Sequence, residues 1–352
     1  MRRLQVFVLC GVVLSGQVCL RAGQGSATVV EPPVVAHFHL SGAVTEVPVE
    51  DPFGLMVGQV TSLQNLVTRL DQAGADSQVK AVILTFDGMS FGFGQLQEIR
   101  GAIQRVRDAG KRVYVHAEGM RTFTYGLLCV GDHLSVAPQS ALWLMGFYGE
   151  SPYVKDLLDK IGVETDFMHM GAYKSAAEIF TRAGPSEEAE ENLNWLYDGW
   201  YDALVGMIAQ SRGKTPEQIR ELIDRGPYMA EQAKEMGLID AVETREQCVA
   251  RVKKEIDGPE KIDNRYGEKA GPQMNFANPL AVFSVLAEMF KPAQASHKDA
   301  VGVIYVSGAI MPGYSQPTFF GTTDAAFSGD IGKALEQAAN DPSVKAVVMR
   351  VD

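Results

Sequence analysis

The chain has 352 residues, of which 46% are hydrophobic and 21% charged, and its formal net charge is −11. This length supports a large core and more than one domain, and the composition is that of a globular protein. The acidic balance argues against nucleic acid as the main partner, because phosphate binding requires basic patches. Cys129 and Cys248 lie outside the N-terminal segment, at a spacing that fits no metal motif, so we interpret both as core thiols.

The N-terminal segment has the layout of an export signal. Arg2 and Arg3 precede the largely apolar stretch "LQVFVLCGVVLSGQVCL" (4–20), and small residues follow it. The stretch has about 17 residues, borderline for crossing a hydrocarbon core of ~30 Å. A cleaved signal peptide and a retained membrane anchor (1–25) therefore both stay open. Either one predicts an exported protein of the cell envelope, membrane-anchored or periplasmic.

Two stretches near the start of the chain recur near its end. "VVAHFHLSGAV" (34–44) returns as "VGVIYVSGAIM" (301–311), and "DSQVKAVILTFD" (76–87) returns as "DPSVKAVVMRVD" (341–352). The two offsets are 266 and 265 residues, a period too long for a solenoid. We predict a duplicated domain, with one full copy and the start of a second.

The first copy reads as alternating strands and helices. In chain order the pattern predicts a strand (81–86), a loop with Gly88, Gly92 and Gly94, a helix (95–110) that Gly110 ends, a strand (112–117), a helix reaching residue 130 and a strand in "HLSVAP". Strands separated by helices favour parallel pairing through βαβ crossovers.

Helix signals continue towards the middle of the chain. Ser186 is a predicted N-cap followed by glutamates in the first turn, and an apolar stripe runs from Leu193 to Ile208. Thr215 begins a capping box with proline at the first helical position. Residues 246–298 turn polar around one apolar stretch (278–290), which predicts a linker with one helix.

Lys174 lies in "GAYKSAAEIFTR" (171–182), directly after the apolar run "DFMHM" (166–170). We expect "GVETDFMHM" (162–170), which contains this run, to be a buried strand, so that Lys174 is poorly solvated and its neutral amine is favoured. A neutral amine is a competent general base at pH 7, and a serine hydroxyl is its usual client. The local pattern also fits a lysine that extends to water at the start of a helix, so both interpretations stay open.

Several segments resemble the protease IV / signal peptide peptidase A family, membrane-associated serine proteases built on the ClpP/crotonase spiral fold. The resemblance covers about residues 34–245 and again 299–352, and the lysine segment is its most specific part. The matching segments, besides the repeated "VKAVIL" and "VKAVVM" strands, are "GAYKSAAEIFTR" (171–182), "SALWLMGFYGESPYVKDLLDKIGVE" (140–164) and "YMAEQAKEMGLIDAV" (228–242).

The resemblance implies an α/β fold of the ClpP/crotonase type, a spiral of βα units with one full copy and the start of a second. The implied parts are a signal peptide or anchor (1–25), a peptidase-like domain carrying the lysine (34–245), a linker (246–298) and the start of a second such domain (299–352).

The resemblance also implies a mechanism. In long, duplicated members the first copy supplies a lysine and the second a serine, so Lys174 corresponds by position to the base that deprotonates the nucleophile and later activates the deacylating water. The oxyanion loop and the serine would follow the strand "AVVMRVD", so we expect a fragment, inactive alone, with its nucleophile after Asp352. The implied partners are peptides such as cleaved signal peptides, the membrane and further copies of the chain in a homo-oligomer, and no cofactor is implied.

Other candidate site residues are weaker. Thr122 falls near the serine-equivalent position of the first copy, and "DGMSFGFGQ" (87–95) lacks the family's Pro-Gly-Gly, so we interpret both as decayed counterparts. Ser175 adjoins Lys174 and could contribute a supporting hydrogen bond at most. His37 and His39 alternate on one strand face without a third ligand at suitable spacing, so no metal site is predicted.

Two other functions are considered. One is a non-catalytic, oligomeric scaffold of the same fold at the membrane, and the other is an acyl-CoA hydratase relative, which the predicted export disfavours. A Pro-Gly-Gly loop and a serine in the sequence past Asp352 would favour the protease, and their absence would favour the scaffold.

Overall fold

The computed structural model of the protein describes residues 33–46, 60–256, 261–268, 299–315 and 325–352. The predicted signal or anchor (1–25) and the predicted linker helix (278–290) lie outside these ranges. Within them, no helix combines the length and the apolar character needed to cross a bilayer.

The first copy contains both strands and helices, and helices predominate after residue 143. Its elements are, in chain order, β1 (Val34–Leu40), β2 (Ala43–Thr45), β3 (Val60–Ser62), α1 (Leu63–Ala75), β4 (Val79–Phe86), α2 (Phe93–Asp108), β5 (Arg112–Ala117), β6 (Met120–Arg121), α3 (Thr122–Leu128), β7 (His133–Val136), β8 (Ala141–Trp143), α4 (Lys155–Lys160), a 3₁₀ helix (Ser175–Ala177), α5 (Glu178–Thr181), α6 (Glu187–Arg212), α7 (Pro216–Arg225), β9 (Tyr228–Met229), α8 (Ala230–Glu235), β10 (Ala241–Val242), α9 (Arg245–Ile256) and β11 (Lys261–Asp263).

Six of these strands form one parallel sheet in the order β10–β7–β5–β4–β1–β11. The predicted parallel pairing is confirmed, and helices occupy the crossovers that such pairing requires. β4 lies inside the sheet with both faces covered, and this explains its near-continuous apolar sequence. The fold is mixed α/β, as predicted, and is consistent with the ClpP/crotonase type.

The two faces of the sheet are covered by different helices. On one face, Leu84 of β4 belongs to a large buried cluster with residues of α1, α2, α3 and α6. On the other face, Val252 of α9 packs with Val35, Ile83 and Tyr114 in a smaller cluster. The polar residues of the carboxyl ends of the strands lie beyond this smaller cluster, next to the N-terminal end of α9.

The helix boundaries follow the local signals in the sequence. Gly110 follows α2 with a φ of 80°, the left-handed conformation that favours glycine after a helix. Ser186 caps α6, and Thr215 forms a capping box with Gln218 at the start of α7. The apolar stripe of α6 is buried at Leu204 but not at its N-terminal end, because that end extends past the core cluster.

The structure extends the first copy beyond residue 245, where we expected a linker to begin. α9 packs on the sheet through Cys248 and Val252, and β11 pairs with β1 and forms the edge of the sheet. The hydroxyl of Tyr266 donates to Asp76 Oδ2 at 2.9 Å, which fastens the segment after β11 to the end of α1. Polarity misled the sequence interpretation, because a helix that covers a sheet needs only one apolar stripe.

The duplication predicted from the sequence is present in the structure. The second set of elements is β12 (Ala300–Val306), β13 (Ala309–Met311), β14 (Ala325–Phe327), α10 (Ser328–Asn340) and β15 (Val344–Val351). Each begins 265 or 266 residues after its counterpart among β1, β2, β3, α1 and β4. The parallel pairing of β12 with β15 repeats that of β1 with β4, including the same register shift after the first residue.

Candidate active site

Two backbone N–H groups of the loop between β4 and α2 donate hydrogen bonds to other groups of the protein. The N–H of Ser90 donates to Gly42 O at 2.8 Å, and the N–H of Gly92 donates to Gln95 Oε1 at 2.9 Å. In the family resemblance this loop corresponds to the oxyanion loop, whose N–H groups must point at a substrate oxygen. Both donors are already bonded inside the protein, which fits the expected decay of this site in the first copy.

Thr122, which the resemblance places near the serine-equivalent position, has a structural role. Its Oγ1 accepts a hydrogen bond from Met145 N–H at 2.8 Å and lies within donating distance of two carbonyls, Met145 O at 2.7 Å and Trp143 O at 3.0 Å. The side chain is buried at the first turn of α3, so the hydroxyl fastens this helix to the chain that leaves β8. Within the described ranges, the hydrogen-bond partners of this hydroxyl are backbone groups and not the side-chain base that an activated nucleophile needs.

Lys174 occupies the position just before the 3₁₀ helix, within an arm that we define as residues 145–186. Its N–H donates to Gly171 O at 3.2 Å, closing a turn that Gly171 enters with a φ of 93°. That left-handed φ favours glycine, so the sequence "GAYK" is suited to this turn. The side chain of Lys174 is exposed, and within the described ranges its ammonium has no hydrogen-bond or ion-pair partner.

The arm is fastened to the start of α6 on both sides of Lys174. The hydroxyl of Tyr173 donates to Glu191 Oε2 at 2.8 Å. Ser186, the N-cap of α6, donates to Glu178 through its hydroxyl at 2.6 Å and its N–H at 2.9 Å. These bonds hold the pKa of Glu178 below its ordinary value. At the beginning of the arm, a Cβ atom at Gly149 would lie 2.3 Å from the Tyr197 hydroxyl, so a larger residue would displace the Tyr197 side chain.

The expectation that residues 162–170 form a buried strand is wrong. The segment has no regular secondary structure, Met168 is 101% exposed and Met170 is 91% exposed. Phe167 stacks on Phe180 with ring centroids 5.6 Å apart, so its contacts stay within the arm. Apolar side chains become buried only where a second surface covers them, and the described residues provide none here.

A polar cluster at the carboxyl ends of β1 and β4 was not found from the sequence as a unit. Thr85 Oγ1 lies 2.9 Å from His37 Nε2 and 3.2 Å from His39 Nδ1, and Asp87 binds Arg245 at the start of α9 with two contacts of 2.7 and 2.8 Å. Burial lowers the pKa of His37 below its ordinary value. The alternation of His37 and His39 was the available signal, but the partners come from distant segments.

Both cysteines outside the N-terminal segment are buried and free, as predicted. Burial raises the pKa of the Cys248 thiol to about 11, so it is protonated and inert at neutral pH. Across the described ranges, no three or more His, Cys, Asp or Glu side chains are grouped so that they could hold a metal ion.

Comparison with known proteins gives one family match. Residues 105–257 match peptidase family S49, and this range includes Lys174, Thr122 and the whole arm. The sequence resemblance to the protease IV / signal peptide peptidase A family is confirmed by this match and by the relatives below.

Three relatives illustrate the similarity. The chain is 28% identical over 304 residues to Protease 4 of Haemophilus influenzae, covering 85% of this chain and 47% of that protein. It is 28% identical over 305 residues to Protease 4 of Salmonella typhi, covering 84% of this chain and 46% of that protein. It is 29% identical over 197 residues to the chloroplastic serine protease SPPA of Arabidopsis thaliana, covering 55% of this chain and 29% of that protein. The chain thus spans half or less of the length of these relatives.

Proposed function

Because the chain carries a peptidase family S49 domain, we propose that the protein is a serine endopeptidase of the cell envelope and that Lys174 is its general base. The observation that carries the proposal is that the family match spans the lysine segment "GAYKSAAEIFTR". The occupied loop donors and the bonded hydroxyl of Thr122 support a division of labour, in which the second copy supplies the nucleophile and the oxyanion hole.

The proposed reaction is acyl transfer through a Ser–Lys dyad. The neutral amine of Lys174 takes the proton of a serine hydroxyl as that oxygen attacks the scissile carbonyl carbon. Backbone N–H groups stabilise the oxyanion, the proton passes to the leaving amine, and an acyl-enzyme forms. Lys174 then takes a proton from water, which hydrolyses the ester and restores the serine.

A lysine that acts as a base near neutral pH must be kept out of water, because desolvation disfavours the ammonium form. Lys174 is exposed in the described chain. We propose that the second copy, or a further copy of the chain in a homo-oligomer, covers it in the working enzyme. The exposed Met168 and Met170 beside it would be buried by the same contact.

The proposed substrates are cleaved signal peptides and other apolar peptides. Exposed apolar side chains of the arm and of α6, such as Tyr148 and Trp195, could hold such chains near Lys174. The proposed organisation is a signal or membrane anchor (1–25), a lysine-carrying domain, a linker and a second peptidase domain, with an exported, envelope location.

The test compares Lys174→Ala with Lys160→Ala in the full-length protein. Lys160 is a second exposed lysine on the same arm and serves as the matched control. We expect Lys174→Ala to lower kcat/KM for an apolar fluorogenic peptide by about 10³-fold, the usual contribution of a general base. We expect the kcat/KM of Lys160→Ala to stay within about twofold of the wild-type value, because a single exposed charge contributes little.

Stability separates loss of the base from loss of the fold. Because the Lys174 side chain is exposed in the described chain, its replacement in the 352-residue chain should change the free energy of unfolding by less than about 0.5 kcal/mol. A fluorophosphonate probe, which labels activated serines, should modify the wild type and spare Lys174→Ala. Wild-type turnover by Lys174→Ala would refute the assignment of the base.

The exposed apolar surface of the arm also favours a second candidate, a non-catalytic scaffold that assembles at the membrane. A scaffold would take up no fluorophosphonate and hydrolyse no peptide, yet it would still assemble. Replacing Met168 and Met170 with serine should then disrupt assembly, whereas Lys174→Ala should have no effect on any property.

A further inference from the structure

The two copies differ in polarity at three positions of their paired strands. In the first copy these positions hold His37, His39 and Thr85, which lie on the sheet face covered by α9 and are hydrogen-bonded to one another. The remaining counterpart pairs in these strands are identical or stay apolar. The three counterparts in the second copy are Val303, Tyr305 and Arg350.

Arg350 places a charge where the first copy has a neutral hydroxyl, and this charge reaches the first copy. Its Nε donates to Glu46 Oε2, and its Nη1 lies 2.7 Å from Glu98 Oε1. Arg350, Glu46 and Glu98 line a small cavity between the two copies. Tyr305 of β12, which pairs with Arg350 across the two strands, lines this cavity together with Gln64 of α1. Two of the three residues in which the second copy departs from the repeat, Tyr305 and Arg350, therefore face the first copy.

The contact with Arg350 matters for stability because the Glu46 carboxylate is buried. Its side chain is 3% exposed, and its Oε1 accepts a hydrogen bond of 2.8 Å from Gln95 Nε2. A carboxylate removed from water needs a counter-charge as well as hydrogen bonds. Within the described ranges, Arg350 is the cation that forms an ion pair with Glu46, although 304 positions separate them in the chain.

Gln95 connects this contact to the loop after β4. Its Oε1 accepts the N–H of Gly92 at 2.9 Å, while its Nε2 donates to Glu46. Arg350, Glu46 and Gln95 thus form a continuous chain of hydrogen bonds from the second copy to the N-terminal end of α2. The guanidinium suits this role, because its planar fork binds two carboxylates at once.

We infer that Glu46, Gln95 and Glu98 form a socket in the first copy and that Arg350 is the anchor by which the second copy docks into it. The socket fixes how the two copies are oriented on each other. Where the dyad is divided between the copies, as proposed above, the same anchor sets the distance between its halves. The docking itself does not depend on peptidase activity, so it stands or falls by a separate measurement.

The test measures how tightly the two copies hold each other. A protease cleavage site is inserted between Ala270 and Gly271 of the full-length protein, the folded protein is cut, and the halves are followed by gel filtration over a dilution series. We expect the wild-type halves to stay together at micromolar concentration. We expect Arg350→Met and Glu46→Gln each to raise the dissociation constant of the halves at least tenfold.

The control is Lys345→Met, which removes a positive charge from the same strand. Lys345 pairs with Asp299 inside the second copy, at 3.5 Å, so its loss should leave the association unchanged. The double variant Arg350→Met/Glu46→Gln should be no weaker than the weaker single variant, because both remove one interaction. If the two substitutions instead weakened the association through separate folding defects, their effects on its free energy would add.

Glu98→Gln keeps the inference testable where a buried substitution impairs folding. Its side chain is 43% exposed, so the variant should fold normally and weaken the association by a smaller factor. Separation of the wild-type halves at micromolar concentration, wild-type affinity in Arg350→Met, or additive effects in the double variant would each overturn the inference.

Discussion

Replacing Thr122 with valine removes the hydroxyl that fastens the first turn of α3 to the chain after β8. The hydroxyl accepts one bond from Met145 N–H at 2.8 Å and donates one proton, shared between Trp143 O at 3.0 Å and Met145 O at 2.7 Å. Two hydrogen bonds are therefore lost at a site that is 8% exposed. A net bond contributes about 1 kcal/mol, and a buried N–H left without a partner costs about 1–3 kcal/mol.

These contributions predict that Thr122→Val lowers the free energy of unfolding by about 2–4 kcal/mol. For a domain of this size the loss corresponds to a decrease in Tm of about 4–16 °C. Thr122→Ser is the matched control, because it keeps the hydroxyl and removes one methyl group, which costs about 1 kcal/mol. Urea unfolding of the three proteins, followed by circular dichroism, measures both differences.

The same pair of variants tests whether this hydroxyl takes part in catalysis. At temperatures where it is folded, Thr122→Val in the full-length protein should retain peptide hydrolysis and fluorophosphonate labelling, because the hydroxyl is structural. A destabilisation of Thr122→Val below about 0.5 kcal/mol, within the range of surface substitutions, would refute the role derived from the hydrogen bonds. Equal destabilisation by Thr122→Ser would do the same, and loss of labelling in a folded Thr122→Val would restore Thr122 as a nucleophile.

Three further outcomes are expected. Tyr125→Phe should lower the free energy of unfolding by about 1–2 kcal/mol in urea titrations, because the fully buried hydroxyl donates to Leu238 O at 2.6 Å. An unchanged free energy of unfolding would mean that water replaces this hydrogen bond. Burial raises the pKa of Glu243, but hydrogen bonds from Arg251 at 2.8 Å and His133 at 3.0 Å hold it below its ordinary value. Arg251→Met should therefore lower the free energy of unfolding by about 2 kcal/mol or more at pH 7 and by less at pH 4, where Glu243 begins to be protonated. Equal losses at the two pH values would contradict this. Burial lowers the pKa of His37 and His116 from 6.5, so the unfolded chain binds more protons than the folded chain, and the free energy of unfolding should fall as the pH drops through 6.5. The free energy of unfolding of His116→Gln should fall less steeply between pH 7.5 and 5.5. An unchanged slope would exclude His116 as a contributor.

Local signals in the sequence were sufficient for several elements of the first copy. The apolar run of β4 predicted an interior strand, Gly110 the end of α2, and Ser186 and Thr215 the starts of α6 and α7. Each signal acts within a few residues, through backbone conformation or a capping hydrogen bond, so no tertiary information was needed. The repeat was also visible, because the paired strand positions of the two copies hold identical or similar apolar residues in the same order.

Burial at the site was decided only by the tertiary structure. The run at residues 166–170 is apolar, yet Met168 is exposed because no surface of the described chain covers it. The polar residues of α9 suggested a linker, yet one stripe with Val252 is enough to cover the sheet. Glu46 and Arg350 carry no local signal for their pairing, since the contact exists only after two distant segments are brought together. Composition and periodicity specify what a segment can form, but the surface that covers it comes from elsewhere in the fold.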